Sequence, residues 1–197
     1  MNHTLVAVVA ITAAALASPA GAAPAEVGQP APDFTLKDEA GTTRALSAYR
    51  GKVVVLEWTN PDCPFVQRHY ADKTMQKTLA ALAGKPVVWL AIDSTYSNTP
   101  DRSAAWKKQQ GVVYPILQDP SGTVGHAYGA KTTPHMFVID EKGIVRYAGA
   151  IDDDPHGRSA AATNYVRQAV EAVETGKTVP ASTTAPYGCL VKYKGNS

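Results

Sequence analysis

Apolar residues along this chain switch between the spacing of buried strands and the spacing of one-sided helices. KVVVLEW (52–58) and KPVVWLAID (85–93) are continuous apolar runs rich in β-branched residues and too short for helices. They predict strands covered on both faces. Ahead of them, Phe34 and Leu36 alternate with polar residues before Glu39-Ala40-Gly41, which predicts a short hairpin. From Phe65 to Leu82 no glycine or proline interrupts, and Gly84 follows. The stripe is split, however: Val66 and Tyr70 share one helical face, while Met75, Leu79 and Leu82 lie nearly opposite. A helix that bends or breaks between Asp72 and Thr74 is expected.

TPDRSAAWKKQQG (99–111) carries its own punctuation, with Thr99 as N-cap, Pro100 in the first turn and Gly111 as stop. YPILQD predicts a short strand, SGTVGHAYGA a short helix or turn, and KTTPHMFVIDEKGIVRYAGA two strands around a turn at 140–143. The best-patterned helix is SAAATNYVRQAVEAVETGK, striped by Val166, Ala169, Val170 and Val173 and stopped at Gly176. Trp89 and Trp106 read as core aromatics. The tail, 177–197, has no clear period. Hairpin, β, α, β, α, β, short α, β, β, α is an α/β order, and it predicts a central mixed sheet with helices on both faces.

A length of 197 residues suits one folded domain, and 45% hydrophobic with 18% charged residues is ordinary globular composition. The net charge of +2 gives no basic patch, so a nucleic-acid partner is not expected. LVAVVAITAAALASPAGAA (5–23) ends in Ala20-Gly21-Ala22, the pattern of a secretory signal peptide over 1–22. Its leading MNHT lacks Lys and Arg, and the alternative is an uncleaved anchor, although Pro19 and Gly21 interrupt the run. The expected organisation is a signal peptide, a domain over 23–176, and a tail over 177–197 that carries Cys189. After cleavage no membrane span is expected, and the mature chain would be periplasmic or extracellular, where a disulfide persists.

Two cysteines allow one bridge and are too few for a CxxC…CxxC zinc site. His69, His126, His135 and His156 lack an HxxxH spacing, and the three carboxylates of IDDDPHG (151–157) read as a solvated loop without the EF-hand pattern. No metal and no cofactor are expected.

The candidate chemistry is in WTNPDCPFV (58–66). Cys63 falls where a buried strand ends and a helix begins, with Pro64 in the first helical position. Reacting groups favour that end of an open α/β sheet, and the positive end of a helix favours a thiolate. The other reading of Cys63 is a small buried hydrophobe. Asn60, Pro61, Asp62 and Pro64 argue for a turn rather than a core, and the Asp62 carboxylate works against ionisation.

VGQPAPDFTLKDEAGTTRALSAYRGKVVVLEW followed by Cys63-Pro64 resembles the alkyl hydroperoxide reductase/thiol-specific antioxidant superfamily of thioredoxin-fold redoxins. The matching residues are Ala31-Pro32-Asp33-Phe34, Leu36, Asp38, Gly41, Leu46, Gly51-Lys52 and the run 53–56. Downstream, Thr133-Pro134 before the strand 136–139 resembles the cis-proline loop of that fold. CPFV and the terminal Tyr187-Gly188-Cys189 are similar to a peroxiredoxin-like branch. The resemblance implies a thioredoxin-like fold and an exported thiol oxidoreductase. Cys63 would attack a peroxide or a protein disulfide, and a thiol donor would supply electrons. Thr59, Asn60, Pro64, Thr133 and Pro134 would bind substrate. Pro134 would be cis beside Cys63, leaving a backbone edge free for an extended substrate.

The chain departs from the family pattern in places that bear on the reaction. Where thioredoxins carry a second cysteine stands Val66, so Cys63 has no partner in its own turn. Where peroxiredoxins carry a threonine stands Asn60, with Thr59 displaced by one residue, and weak peroxidase activity follows as an expectation. The family's peroxide-binding arginine has no secure counterpart: Arg68 and Arg146 are candidates, and for each a surface salt bridge is the favoured reading. Cys189 would resolve an oxidised Cys63, since the chain after Gly176 is long enough to fold back over the helix start or to reach a second subunit. A reading from another class is a non-catalytic module for a partner or for copper, held by Cys63 and His135, with a structural Cys63–Cys189 bridge.

Overall fold

The structure, a computed structural model, describes residues 24–159 and 161–195. The apolar run 5–23 and its expected cleavage site lie outside the described residues. Among those described, no helix is long and apolar enough to cross a membrane.

The apolar runs become the middle of a sheet. In chain order the strands are β1 (Thr35–Asp38), β2 (Thr43–Ala45), β3 (Val53–Trp58), β4 (Val87–Asp93), β5 (Ile116–Gln118), β6 (Thr132–Thr133), β7 (His135–Ile139), β8 (Val145–Gly149) and β9 (Cys189–Leu190). The helices are α1 (Pro64–Ala71), α2 (Thr74–Ala81), α3 (Pro100–Gln110), α4 (Thr123–Tyr128) and α5 (Tyr165–Glu174). Seven strands form one sheet in the order β2-β1-β5-β4-β3-β7-β8. β3 is parallel to β4, and β4 to β5, whereas β1, β7 and β8 attach antiparallel. The sheet is therefore mixed, as the closing hairpin implied.

Every residue of β3 is buried, which is why its sequence does not alternate. Val53 and Val55 face a core built with Val66, Tyr70, Met75, Trp106, Val166 and Val170 from α1, α2, α3 and α5. Val54, Leu56 and Trp58 face the other core, with Phe34, Leu46, Val124 and Tyr128, and with Val191 and Tyr193 of the tail. Burying each Leu- or Val-sized side chain is worth about 1.5–3 kcal/mol, so β3, loaded on both faces, is firmly anchored for holding a reactive group at its end.

The split stripe resolves as a broken helix. α1 ends at Ala71, Lys73 takes a left-handed φ of 57°, and α2 begins at Thr74. The break turns α2 so that Met75 faces the same core as Val66 and Tyr70, with Leu79 packed partly against it.

Two expectations need correction. The loop IDDDPHG is not solvated throughout: Asp152 and Asp154 are buried, and only Asp153 of the three is exposed. The Asp152 carboxylate accepts the Asp154 N–H at 3.1 Å and the Tyr187 hydroxyl, while Asp154 accepts the Ser159 N–H at 2.7 Å. Turn N–H groups that no strand satisfies need such acceptors. The tail, periodless in sequence, supplies β9, which pairs antiparallel with β6 through Thr133↔Cys189 and Thr132↔Leu190. A strand of two residues leaves no period to read.

Candidate active site

Trp58 ends β3, and the chain then turns tightly before α1. Asn60 builds that turn. Its Oδ1 accepts the Asp62 N–H at 2.8 Å, and its carbonyl accepts the Cys63 N–H at 3.0 Å. Cys63 is the N-cap residue of α1 with Pro64 just inside the helix, and the Cys63 carbonyl takes the Gln67 N–H at 2.9 Å. Asp62 projects outward onto Arg102 Nη2 at 2.9 and 3.0 Å, so its charge is turned away from the thiol and matched. The contrast of turn against core fails for Cys63: it lies in the turn and is nevertheless only 1% exposed, packed in the core beneath α1.

The second wall is β6 and the residue after it. The Thr133–Pro134 peptide is cis, and the Cys63 thiol donates to the Thr133 carbonyl at 2.9 Å. The third wall is the tail, with Cys189 opposite Thr133 in register and its thiol within hydrogen-bonding reach of the Cys63 sulfur. Both cysteines are free thiols. The backbone edge expected to stand free for an extended substrate is thus occupied by the chain's own β9. The reason is steric economy: Gly188 lets the tail lie directly on Thr133, where a Cβ would stand 2.0 Å from the carbonyl oxygen.

The two thiols are biased in opposite directions. Burial pushes the Cys63 thiol up, but Thr133, the Val66 N–H and Cys189 act together to hold it below the ordinary thiol value. The Thr133 hydroxyl, which otherwise makes only a long 3.5 Å bond to the Cys189 carbonyl, leads that group. Cys189 is pushed up to about 11 by burial, by its hydrogen bond to Cys63 and by the Cys63 charge. The arrangement biases Cys63 toward the thiolate and Cys189 toward the protonated thiol.

Cys63, Pro64, Thr133, Pro134 and Cys189 therefore converge. Asn60 shapes the turn through its own oxygens. Thr59 is fully buried, and its Oγ1 has no partner among the described residues. Arg68 and Arg146 are both engaged elsewhere. Arg68 donates to the Asp154 carbonyl at 2.9 Å and to His69 Nε2 at 2.8 Å, and Arg146 binds Asp140 at 2.7 Å. His135 is buried, accepts the Lys131 N–H at 3.2 Å, and is driven down to about 4 by burial and then by the Lys131 charge. Among the described residues no group of three His, Cys, Asp or Glu gathers that could hold a metal ion.

One residue escaped the sequence reading. Glu57 sits fully buried in β3, on the face that Val53 and Val55 share with Cys63. Tyr70 donates to its Oε1 at 2.8 Å, and Trp89 Nε1 and Tyr114 donate to its Oε2 at 2.9 and 3.2 Å. Burial raises its carboxyl to about 7 despite those bonds. A single carboxylate inside an otherwise apolar strand was the available signal.

The AhpC/TSA family model matches residues 27–148. Peroxiredoxin-1 of Gallus gallus is 32% identical over 175 residues, covering 79% of this chain and 84% of that protein. Thiol-disulfide oxidoreductase ResA of Geobacillus thermodenitrificans is 30% identical over 129 residues, covering 61% and 67%. The crystal structure of a hypothetical protein from Sinorhizobium meliloti 1021 superposes with a TM-score of 0.78 at 30% identity, covering 87% of this chain and 96% of that one. The family match ends well before Cys189.

Proposed function

The chain belongs to the AhpC/TSA family of peroxiredoxin-like, thioredoxin-fold proteins, and from that premise we propose that it is an exported thiol oxidoreductase in which Cys63 attacks and Cys189 resolves. Export rests on the signal-peptide pattern at 1–22.

The Cys63 thiolate attacks one oxygen of a peroxide or one sulfur of a disulfide. With a peroxide, the S–O bond forms as the O–O bond breaks. Cys63 becomes a sulfenic acid, and the released oxygen takes a proton as alcohol or water. The Cys189 sulfur then attacks Cys63, forming S–S as S–O breaks, and the departing hydroxide leaves as water with the thiol proton. With a disulfide, Cys63 forms a mixed disulfide, and Cys189 displaces the second thiolate. An external thiol restores both cysteines. Pro64, Thr133 and Pro134 wall the sulfur, while Asn60 holds the turn that carries it.

The observation that carries this reading is the pairing of Cys189 with Thr133, whose carbonyl receives the Cys63 thiol. Non-reducing peptide mapping after one equivalent of oxidant tests it, and a Cys63–Cys189 disulfide is the expected product. Cys63 advancing to sulfinic acid while Cys189 stays alkylatable would remove the resolving role. Peroxide turnover slower than a typical peroxiredoxin's is also expected in stopped-flow measurement, because Asn60 stands where the family's threonine would supply a donor aimed at the peroxide oxygen.

A further inference from the structure

An unpaired strand edge beside a reactive cysteine is a place where a second chain adds as a strand. Here that edge, Thr132–Thr133, already carries β9, and the occupant is secured on both sides. Before Cys189, Thr184 Oγ1 accepts the Ala150 N–H at 2.9 Å, and the Tyr187 hydroxyl donates to Asp152. After it, the Val191 N–H donates to the Lys131 carbonyl at 3.1 Å, and the Tyr193 hydroxyl to the Ala130 carbonyl at 2.8 Å. Gly188, at φ 129°, is the point of closest approach. A methyl group there would meet the Thr133 oxygen at 2.0 Å and its carbonyl carbon at 2.8 Å, so another residue cannot lie on the edge in the same way.

We propose that β9 is a built-in occupant of the strand edge beside Cys63 that bars extended polypeptide disulfides, with Gly188 as the specificity-determining position. The inference rests on Cys63 being the attacking group and deepens that reading. A polypeptide disulfide brings flanking backbone on both sides of its sulfur, and that backbone needs the edge that β9 fills. A small oxidant needs only an opening the size of its reacting atom, which suits a cysteine residue that is 1% exposed. The segment lies outside the matched family region, 27–148, so the selectivity belongs to this chain's tail.

The test compares reduced wild type, Gly188→Ala and Cys189→Ser against hydrogen peroxide and against oxidised insulin, following Cys63 by intact mass. Cys189→Ser keeps the strand and removes the internal resolver, so any mixed disulfide with insulin accumulates and is counted. Wild type and Cys189→Ser are expected to lose the Cys63 thiol to peroxide while resisting insulin. Gly188→Ala is expected to react with insulin at least about tenfold faster than wild type. Equal insulin rates in wild type and Gly188→Ala overturn the proposal. If Gly188→Ala does not fold, rapid capture of insulin by Cys189→Ser overturns it, and resistance to insulin alongside reaction with peroxide upholds it. Cys63 left intact by peroxide in the wild type would instead refute the attacking role, a result separate from the insulin comparison.

Discussion

The behaviour of Cys63 is a contest between burial, which favours the thiol, and the Thr133, Val66 and Cys189 donors, which favour the anion. The donors win, so the thiolate fraction climbs and levels off at lower pH than for a free thiol. Alkylation rate against pH should therefore show a midpoint for Cys63 below that of an unperturbed free thiol measured alongside. Cys189, raised to about 11, should stay unmodified across the same range. Thr133→Val removes the leading donor at nearly constant volume and should move the Cys63 midpoint upward. A midpoint at or above the free-thiol value in the wild type would end the case for Cys63 as nucleophile. At this scale the sequence exposed the cysteine and the turn around it, because both are local. It misjudged Asp62, whose charge is turned aside by Arg102, a residue 40 positions away that only folding brings near.

Elements were legible wherever periodicity and punctuation are local. Thr99, Pro100 and Gly111 bound α3 as read, and the two opposed stripes located the break at Lys73. Glu57 shows the limit of such reading. β3 looked uniformly apolar, and the partners that let a carboxyl stay in it arrive from α1, β4 and the residues before β5. Its protonation has a consequence for stability. In the fold Glu57 keeps its proton up to about pH 7, whereas the unfolded chain releases it near 4.5. Between those values the folded state holds more protons, so stability falls as pH rises, by about 3 kcal/mol in all. Glu57→Gln should abolish that slope. The Gln amide can accept from Trp89 and donate to the Tyr70 hydroxyl, so the network stays satisfied. The variant should be more stable than wild type above pH 7 by up to about 3 kcal/mol in urea titrations. A variant less stable at pH 8, with the slope retained, would show that Glu57 is ionised in the fold.

At the scale of the whole molecule the chain folds its own C-terminal strand onto the loop facing Cys63, and this was the least legible part. Two-residue strands carry no period, and the contact depends on Gly188 meeting Thr133, 55 positions earlier. The expectation that Cys189 resolves Cys63 rested on its being the other cysteine. Where it sits decides how electrons enter. With both thiols free, Cys63 is buried beside β9, whereas Cys189 is half-buried and its neighbour Leu190 is 69% exposed. Exchange is faster when the departing thiol has the lower pKa, and the departing thiol from attack at Cys189 is Cys63, the one held low. A donor thiolate should therefore attack Cys189, forming the donor–Cys189 disulfide as the Cys63–Cys189 bond breaks and Cys63 leaves as thiolate. With a single-cysteine variant of a thioredoxin-like reductase as donor, the trapped intermediate should map to Cys189 by peptide mass. A trapped disulfide on Cys63 instead would mean that β9 lifts away on oxidation.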